Sequence, residues 1–145
     1  MDMSDIAAAT VTRKIPLQEG LFSQDAAGKY HLVATRCPEC ALTFFPHRKY
    51  CGKCGSSDVK EVALSDQGKV YTFSVVDRKS KYTLIEPPYI QAEVQMPEGI
   101  RVFTVLDQCK PEQVSIGMPV EVYVDTVKKN ADGSEVIAYK FKPVA

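Results

Sequence analysis

Cys37-Pro38-Glu39-Cys40-Ala41 and Cys51-Gly52-Lys53-Cys54-Gly55, with ten residues between Cys40 and Cys51, decide how this chain is read. A two-residue gap lets both sulfurs of a pair reach one ion from a tight turn. Two such turns offer four sulfurs at the corners of a tetrahedron, the arrangement of a structural zinc site. Gly55 suits the sharp backbone turn that closes such a knuckle, and Ala41 stands at the same place after the first pair. Two disulfides are the competing reading. It is the weaker one, because nothing else in the chain looks secreted. A site closed by four sulfurs has no open position for water or substrate, so the metal is expected to be structural, one ion per chain. Iron, as in a red electron carrier, is the alternative to zinc.

Working outward, Tyr30 to Thr35 reads as a strand leading into the first knuckle. Phe44 and Phe45 read as a short hairpin arm between the knuckles, before Pro46. Residues 1–29 are expected to be an irregular arm, interrupted by Pro16, Gly20 and Gly28, with a short helical piece near Asp5–Thr12. Leu17, Leu21 and Phe22 give that arm an apolar surface to pack on something. After residue 60 the pattern changes to period two, the mark of half-buried strands. Lys69 to Val76, Ile90 to Met96, Arg101 to Asp107, Val120 to Asp125 and Val136 to Lys142 make five strands. The cleanest alternation is Ile90, Ala92, Val94 and Met96 against Gln91, Glu93 and Gln95. Five antiparallel-looking strands without a strong helical stretch close most economically into a small Greek-key barrel, the OB-fold. A sandwich would call for about seven. The predicted architecture is therefore all-β: an arm over 1–29, a zinc ribbon over 30–60 and a five-stranded OB-fold over 61–145.

Composition narrows the function. Among 145 residues there are 18 basic and 18 acidic side chains, so the net charge is zero, which argues against a general nucleic-acid binder. With 45% hydrophobic and 25% charged residues the chain reads as an ordinary soluble domain. No apolar run approaches the roughly 18–20 residues of a membrane span. The start of the chain has no apolar signal core, and with reduced thiols the expected compartment is the cytoplasm. Arg36, His47, Arg48, Lys49 and Lys53 flank the cysteines and would balance the charge of a tetrathiolate centre or meet an anionic partner. Arg78, Lys79 and Lys81, in the long connection 77–89, border the usual OB binding face and are candidates for a phosphate contact. Cys109 has no matched base in the sequence and reads as a packing residue. His31 and His47 belong to no catalytic motif, and no catalytic residue is assigned. Aromatic residues Tyr71, Phe73, Tyr82 and Tyr89 keep a nucleic-acid-binding module in view as the alternative function.

Several stretches, in this order and spacing, resemble a known family. They are the two cysteine pairs, Phe45-Pro46-His47-Arg48, Gly68-Lys69-Val70-Tyr71-Thr72-Phe73-Ser74-Val75-Val76, Pro87-Pro88-Tyr89, Glu98-Gly99-Ile100-Arg101, Ser115-Ile116-Gly117-Met118-Pro119-Val120 and Phe141-Lys142-Pro143. Over residues 20–145 the chain is similar to the acyl-CoA-associated OB-fold proteins with a rubredoxin-like zinc ribbon, long catalogued as a domain of unknown function. The resemblance implies a catalytic partner that acts on acyl-CoA thioesters, most often a thiolase, in a hetero-oligomer. Acyl-CoA would then be met through the complex, with Arg78, Lys79 and Lys81 near a CoA phosphate. Among such proteins the chain looks most like the small subunit of benzoylsuccinyl-CoA-type thiolases. It departs from the pattern in its short, interrupted N-terminal arm and in Phe45-Pro46, where many relatives carry two prolines.

Overall fold

The computed structural model describes residues 13–81 and 84–144. The helical piece expected near Asp5–Thr12, and Tyr82, lie outside the described residues. Among the described residues ten strands follow in chain order: β1 (Lys14–Pro16), β2 (Phe22–Gln24), β3 (Tyr30–Arg36), β4 (Thr43–Phe44), β5 (Lys60–Ala63), β6 (Gln67–Val76), β7 (Tyr89–Gln95), β8 (Arg101–Leu106), β9 (Pro119–Lys129) and β10 (Glu135–Pro143). The helical residues described are one 3-10 turn at Pro111–Gln113. The chain is all-β.

Strands β6 to β10 close a five-stranded barrel. β6, β7 and β8 form an antiparallel meander, β9 pairs with both β6 and β10, and β10 meets β8 in parallel at Phe141 and Leu106. The order β6-β7-β8-β10-β9 and back to β6 is that of a closed Greek-key barrel. β7 shows why the sequence reads so clearly: Ile90, Ala92 and Val94 are buried, while each residue between them is half-exposed. In β6 strict alternation fails at a bulge between Val70 and Thr72. The extra residue, Tyr71, lets Val70, Phe73 and Val75 stand opposite the buried Val94, Ala92 and Ile90. Gly68 is needed for close approach, because a Cβ there would lie 2.6 Å from Val94 Cγ1 and 2.8 Å from the Gln95 carbonyl oxygen.

The ribbon is a second, smaller sheet with β3 at its centre. β2 lines one edge of β3, and β4 and β5 pair with it further along. The expected hairpin arm between the knuckles is present as β4, which includes Phe44 and pairs antiparallel with β3 across the first knuckle, while Phe45 lies just beyond it. The arm is also more ordered than its sequence suggested: β1 joins the barrel sheet beside β10, and β2 joins the ribbon. Both strands are three residues long, too short for any periodicity to show. The two sheets share one core. Leu32 and Ala34 of β3, and Leu64 after β5, are fully buried in the same cluster as Val70, Val94, Val102, Val120 and Phe141. Phe45 adds an edge-on contact with Tyr139 of β10, ring centroids 5.8 Å apart.

Candidate metal centre

Each cysteine pair sits in a knuckle built the same way. In the first, the Ala41 N–H donates to the Cys37 carbonyl (2.8 Å) and the Cys37 N–H to the Leu42 carbonyl (2.9 Å). In the second, Gly55 N–H meets the Cys51 carbonyl (3.0 Å) and Cys51 N–H the Ser56 carbonyl (2.9 Å). The residue after each pair is left-handed, with φ 58° at Ala41 and 73° at Gly55. That conformation carries no side-chain penalty for glycine and costs a non-glycine residue about 1–2 kcal/mol. The fold imposes the turn at both places, and only the second has the residue that suits it.

The knuckles bring all four Sγ atoms within 4.8 Å of one another. Cys37 Sγ and Cys54 Sγ lie 3.7 Å apart. A tetrahedral ion with Zn–S bonds of about 2.3 Å separates its sulfurs by about 3.8 Å, so the space fits such an ion. A disulfide would need about 2.05 Å. The backbone favours thiolate at Cys51. The backbone N–H of Cys54 (3.5 Å) and of Lys53 (3.4 Å) point at Cys51 Sγ, and they hold its thiol down to about 6. Cys40, sharing hydrogen bonds with Cys54 first and then with the other two sulfurs, is pushed up to about 12. Four sulfurs this close cannot all ionise unless a cation offsets their mutual repulsion. Cys37 and Cys51 are buried, Cys40 is half-buried and Cys54 is exposed.

Around the cluster, Thr35 is buried and its hydroxyl accepts from the Arg48 N–H (2.8 Å), tying β3 to the loop that enters the second knuckle. The Arg48 guanidinium lies over the Phe44 ring, 5.3 Å from its centroid. Arg36, His47, Lys49 and Lys53 are exposed. His31 is structural: its Nδ1 meets the Leu64 carbonyl (3.2 Å) and its Nε2 meets Asp25 Oδ2 (3.0 Å).

The barrel carries a cleft of about 650 Å³ between β8 and β10. Leu17, Leu84, Phe103, Val105, Val127, Val136 and Ala138 line it, and Leu17, Leu84 and Phe103 are largely exposed. It lies where β1 has stopped pairing with β10 at Ile137 and β8 pairs only at Phe141. Arg78, Lys79 and Lys81 are exposed, and Lys79 is ion-paired to Glu86. Cys109 is half-buried and packs on the core; burial, then the charge of Asp107, raises its thiol above the ordinary value. That suits packing better than nucleophilic attack.

One polar cluster escaped the sequence reading. Lys140, only 8% exposed, donates to Asp125 Oδ2 (3.0 Å) and Asp107 Oδ2 (3.3 Å), and the Tyr123 hydroxyl donates to Asp107 Oδ2 (2.7 Å). Burial alone would raise the Asp107 carboxyl. The Tyr123 hydroxyl, the Gln108 N–H and the Lys140 charge outweigh it and hold the group below the ordinary carboxylate range. Burial first, then this hydrogen bond, pushes Tyr123 well above an ordinary phenol. No signal in the sequence shows the cluster, because its members meet only through the β9–β10 register and the end of β8.

Ribbon, closed barrel and four-sulfur cluster together define a zinc-ribbon OB-fold protein. Residues 24–60 match the ChsH2 rubredoxin-like zinc ribbon domain, and residues 61–125 match the ChsH2 C-terminal OB-fold domain. A DUF35 domain-containing scaffold protein of Methanocaldococcus jannaschii is 40% identical over 118 residues, 80% of this chain and 84% of that one. The benzoylsuccinyl-CoA thiolase subunit BbsA of Thauera aromatica is 32% identical over 114 residues, 79% of this chain and 77% of that one. Among solved structures, the Ltp2-ChsH2(DUF35) aldolase superposes with a TM-score of 0.65 at 30% identity, covering 79% of this chain and 86% of that one. This chain belongs to the DUF35 family of ChsH2-type proteins. No described helix is long and apolar enough to cross a membrane.

Proposed function

We propose that this chain is a non-catalytic, zinc-binding subunit that scaffolds a thiolase-type enzyme acting on acyl-CoA thioesters. The observation that carries this reading is the similarity, across ribbon and barrel together, to scaffold proteins and to a thiolase subunit. Cys37, Cys40, Cys51 and Cys54 are the ligands of one zinc ion per chain. Four sulfurs fill the coordination sphere, so the ion staples the knuckles and takes no part in turnover. The arm 1–29, ribbon 30–60 and barrel 61–145 are the working division of the chain. Four cysteines spaced as metal ligands rather than as disulfides support a cytoplasmic location. Arg78, Lys79 and Lys81 stand on the connection that borders the apolar cleft, where a CoA phosphate would be met once the partner is in place. Lys79 would first have to leave Glu86.

The test is co-purification from the native host, with the partner identified by mass spectrometry. Thiolytic cleavage of acyl-CoA is then assayed with each subunit alone and with the mixture. Benzoylsuccinyl-CoA, the thioester in the relative's name, is the first to try. Activity is expected from the mixture. Turnover by this chain alone overturns the scaffold reading, and full activity with unchanged melting of the partner alone removes the reason for association. One zinc per chain in a colourless protein supports the metal assignment; a red protein rich in iron overturns it.

A further inference from the structure

We propose that Cys54 is an oxidation site, and that its reaction with hydrogen peroxide closes a disulfide inside the cluster and releases the metal. The inference rests on the zinc reading above. Its basis is an asymmetry in the geometry. Cys37 and Cys51 are 0% and 4% exposed and Cys40 is half-buried, whereas Cys54 is the exposed residue of the four, its Sγ 3.9 Å from Glu39 Oε2. The N–H groups of Lys53 and Cys54 point at Cys51 Sγ and shield that sulfur further. Oxidation of cysteine follows thiolate character, access and a neighbouring resolving sulfur. A sulfur that ligates a divalent ion is a thiolate, so all four satisfy the first condition. Access selects Cys54. Resolution is available at once, because Cys37 Sγ is 3.7 Å away and the other two sulfurs are within 4.8 Å.

The step balances as follows. The Cys54 thiolate attacks one peroxide oxygen; the S–O bond forms, the O–O bond breaks and hydroxide leaves to be protonated by water. Cys54 is then a sulfenic acid, oxidised by two electrons. A neighbouring thiolate attacks that sulfur; the S–S bond forms, the S–O bond breaks and a second hydroxide leaves. One peroxide is reduced to two waters, two thiolates become one disulfide, and an ion that has lost two ligands dissociates.

The experiment uses the full chain in a Cys109→Ser background, which removes the fifth thiol, with zinc content measured beforehand. Hydrogen peroxide is added in sub-stoichiometric steps while a chromogenic chelator reports free zinc. Dimedone traps sulfenic acid, and peptide mapping locates it. The expected result is one zinc released per peroxide consumed, the first adduct on Cys54, and a disulfide that contains Cys54. A Cys54→His variant, which keeps four ligands, should release zinc at least about tenfold more slowly because the accessible sulfur is gone. A first adduct on Cys40, adducts spread evenly, or a variant that releases zinc as fast as its parent overturns the proposal. If the variant holds no zinc, adduct mapping on the parent decides alone. A parent chain purified without metal refutes the zinc reading, and the order of adducts on it still tests whether Cys54 reacts first.

Discussion

Leu32→Ala tests whether ribbon and barrel are one cooperative unit. Leu32 belongs to β3, the central strand of the ribbon, yet it is 0% exposed and sits in the barrel's cluster. Truncating a fully buried leucine costs about 2–5 kcal/mol, and about 3 kcal/mol is a fair central value. For 145 residues, an unfolding entropy of about 2.1 cal/mol/K per residue converts that loss into a fall in Tm of about 10 °C. Calorimetry on the zinc-loaded protein, with amide exchange at Val94 and Val102 as barrel reporters, is the assay. Zinc content should not change, because Leu32 lies on the barrel side of β3, away from the knuckles. A barrel transition that stays within about 2 °C of wild type would refute the reasoning, since the leucine's burial would then belong to a unit that melts separately. The same core predicts the response to a chelator: amides of the knuckles lose protection, while those of Leu32 and Ala34 keep most of theirs.

Three other outcomes follow from particular residues. Cys51→Ser should drop zinc well below one ion per chain and lower co-purification with the partner; retained zinc at one per chain would show that Cys51 is not a ligand. Gly68→Ala should destabilise by about 1–3 kcal/mol through overpacking against Val94 and the Gln95 carbonyl, read as a lower denaturation midpoint; an unchanged midpoint would mean that β6 and β7 can part at no cost. The Asp107 carboxyl is depressed in the folded protein, so its contribution is present above the unfolded value of about 3.9 and is lost as pH falls through the folded value. The stability gap between wild type and Tyr123→Phe should therefore hold at neutral pH and narrow only as pH falls below about 3.9 and on through the folded value, and a gap independent of pH over that range would show that the carboxylate bond is not what Tyr123 contributes.

What was legible followed from strong local constraints. Cysteine spacing specifies a metal site because the chemistry leaves few other uses for two short pairs, and the alternation in β7 is visible because one face is buried and the other is not. The missing parts have non-local causes. β1 and β2 are held by pairing to β10 and β3, and three residues hold no period. Lys140 reads as a polar outward position, yet it is buried because Asp107 and Asp125 converge on it from two other segments. Arg78, Lys79 and Lys81 read as a basic loop, but Glu86, seven residues on, engages Lys79. Charge counted along a chain does not show which cations are already paired.

The barrel also bears on the competing nucleic-acid reading. An OB-fold that holds single strands presents aromatic faces for stacking beside a basic groove. Here the cleft beside the connection 77–88 is walled by Leu17, Leu84, Phe103, Val105, Val127 and Val136, and among the described residues Lys128 and Lys140 are the charged ones that line it. Lys140 is committed to two carboxylates. Tyr71, one of the aromatics the sequence offers for stacking, has one ring face occupied by the Arg101 guanidinium, 3.6 Å from its centroid. An apolar wall of this kind favours an apolar guest, because water released from it is the main gain on binding. Titrating a fluorescent oligothymidine at about 50 mM salt should therefore give no saturable binding, although salt that low favours phosphate contacts. Saturable binding that weakens steeply as salt rises would refute the scaffold assignment of this face, and it would make Tyr71 and Arg101 the first residues to replace.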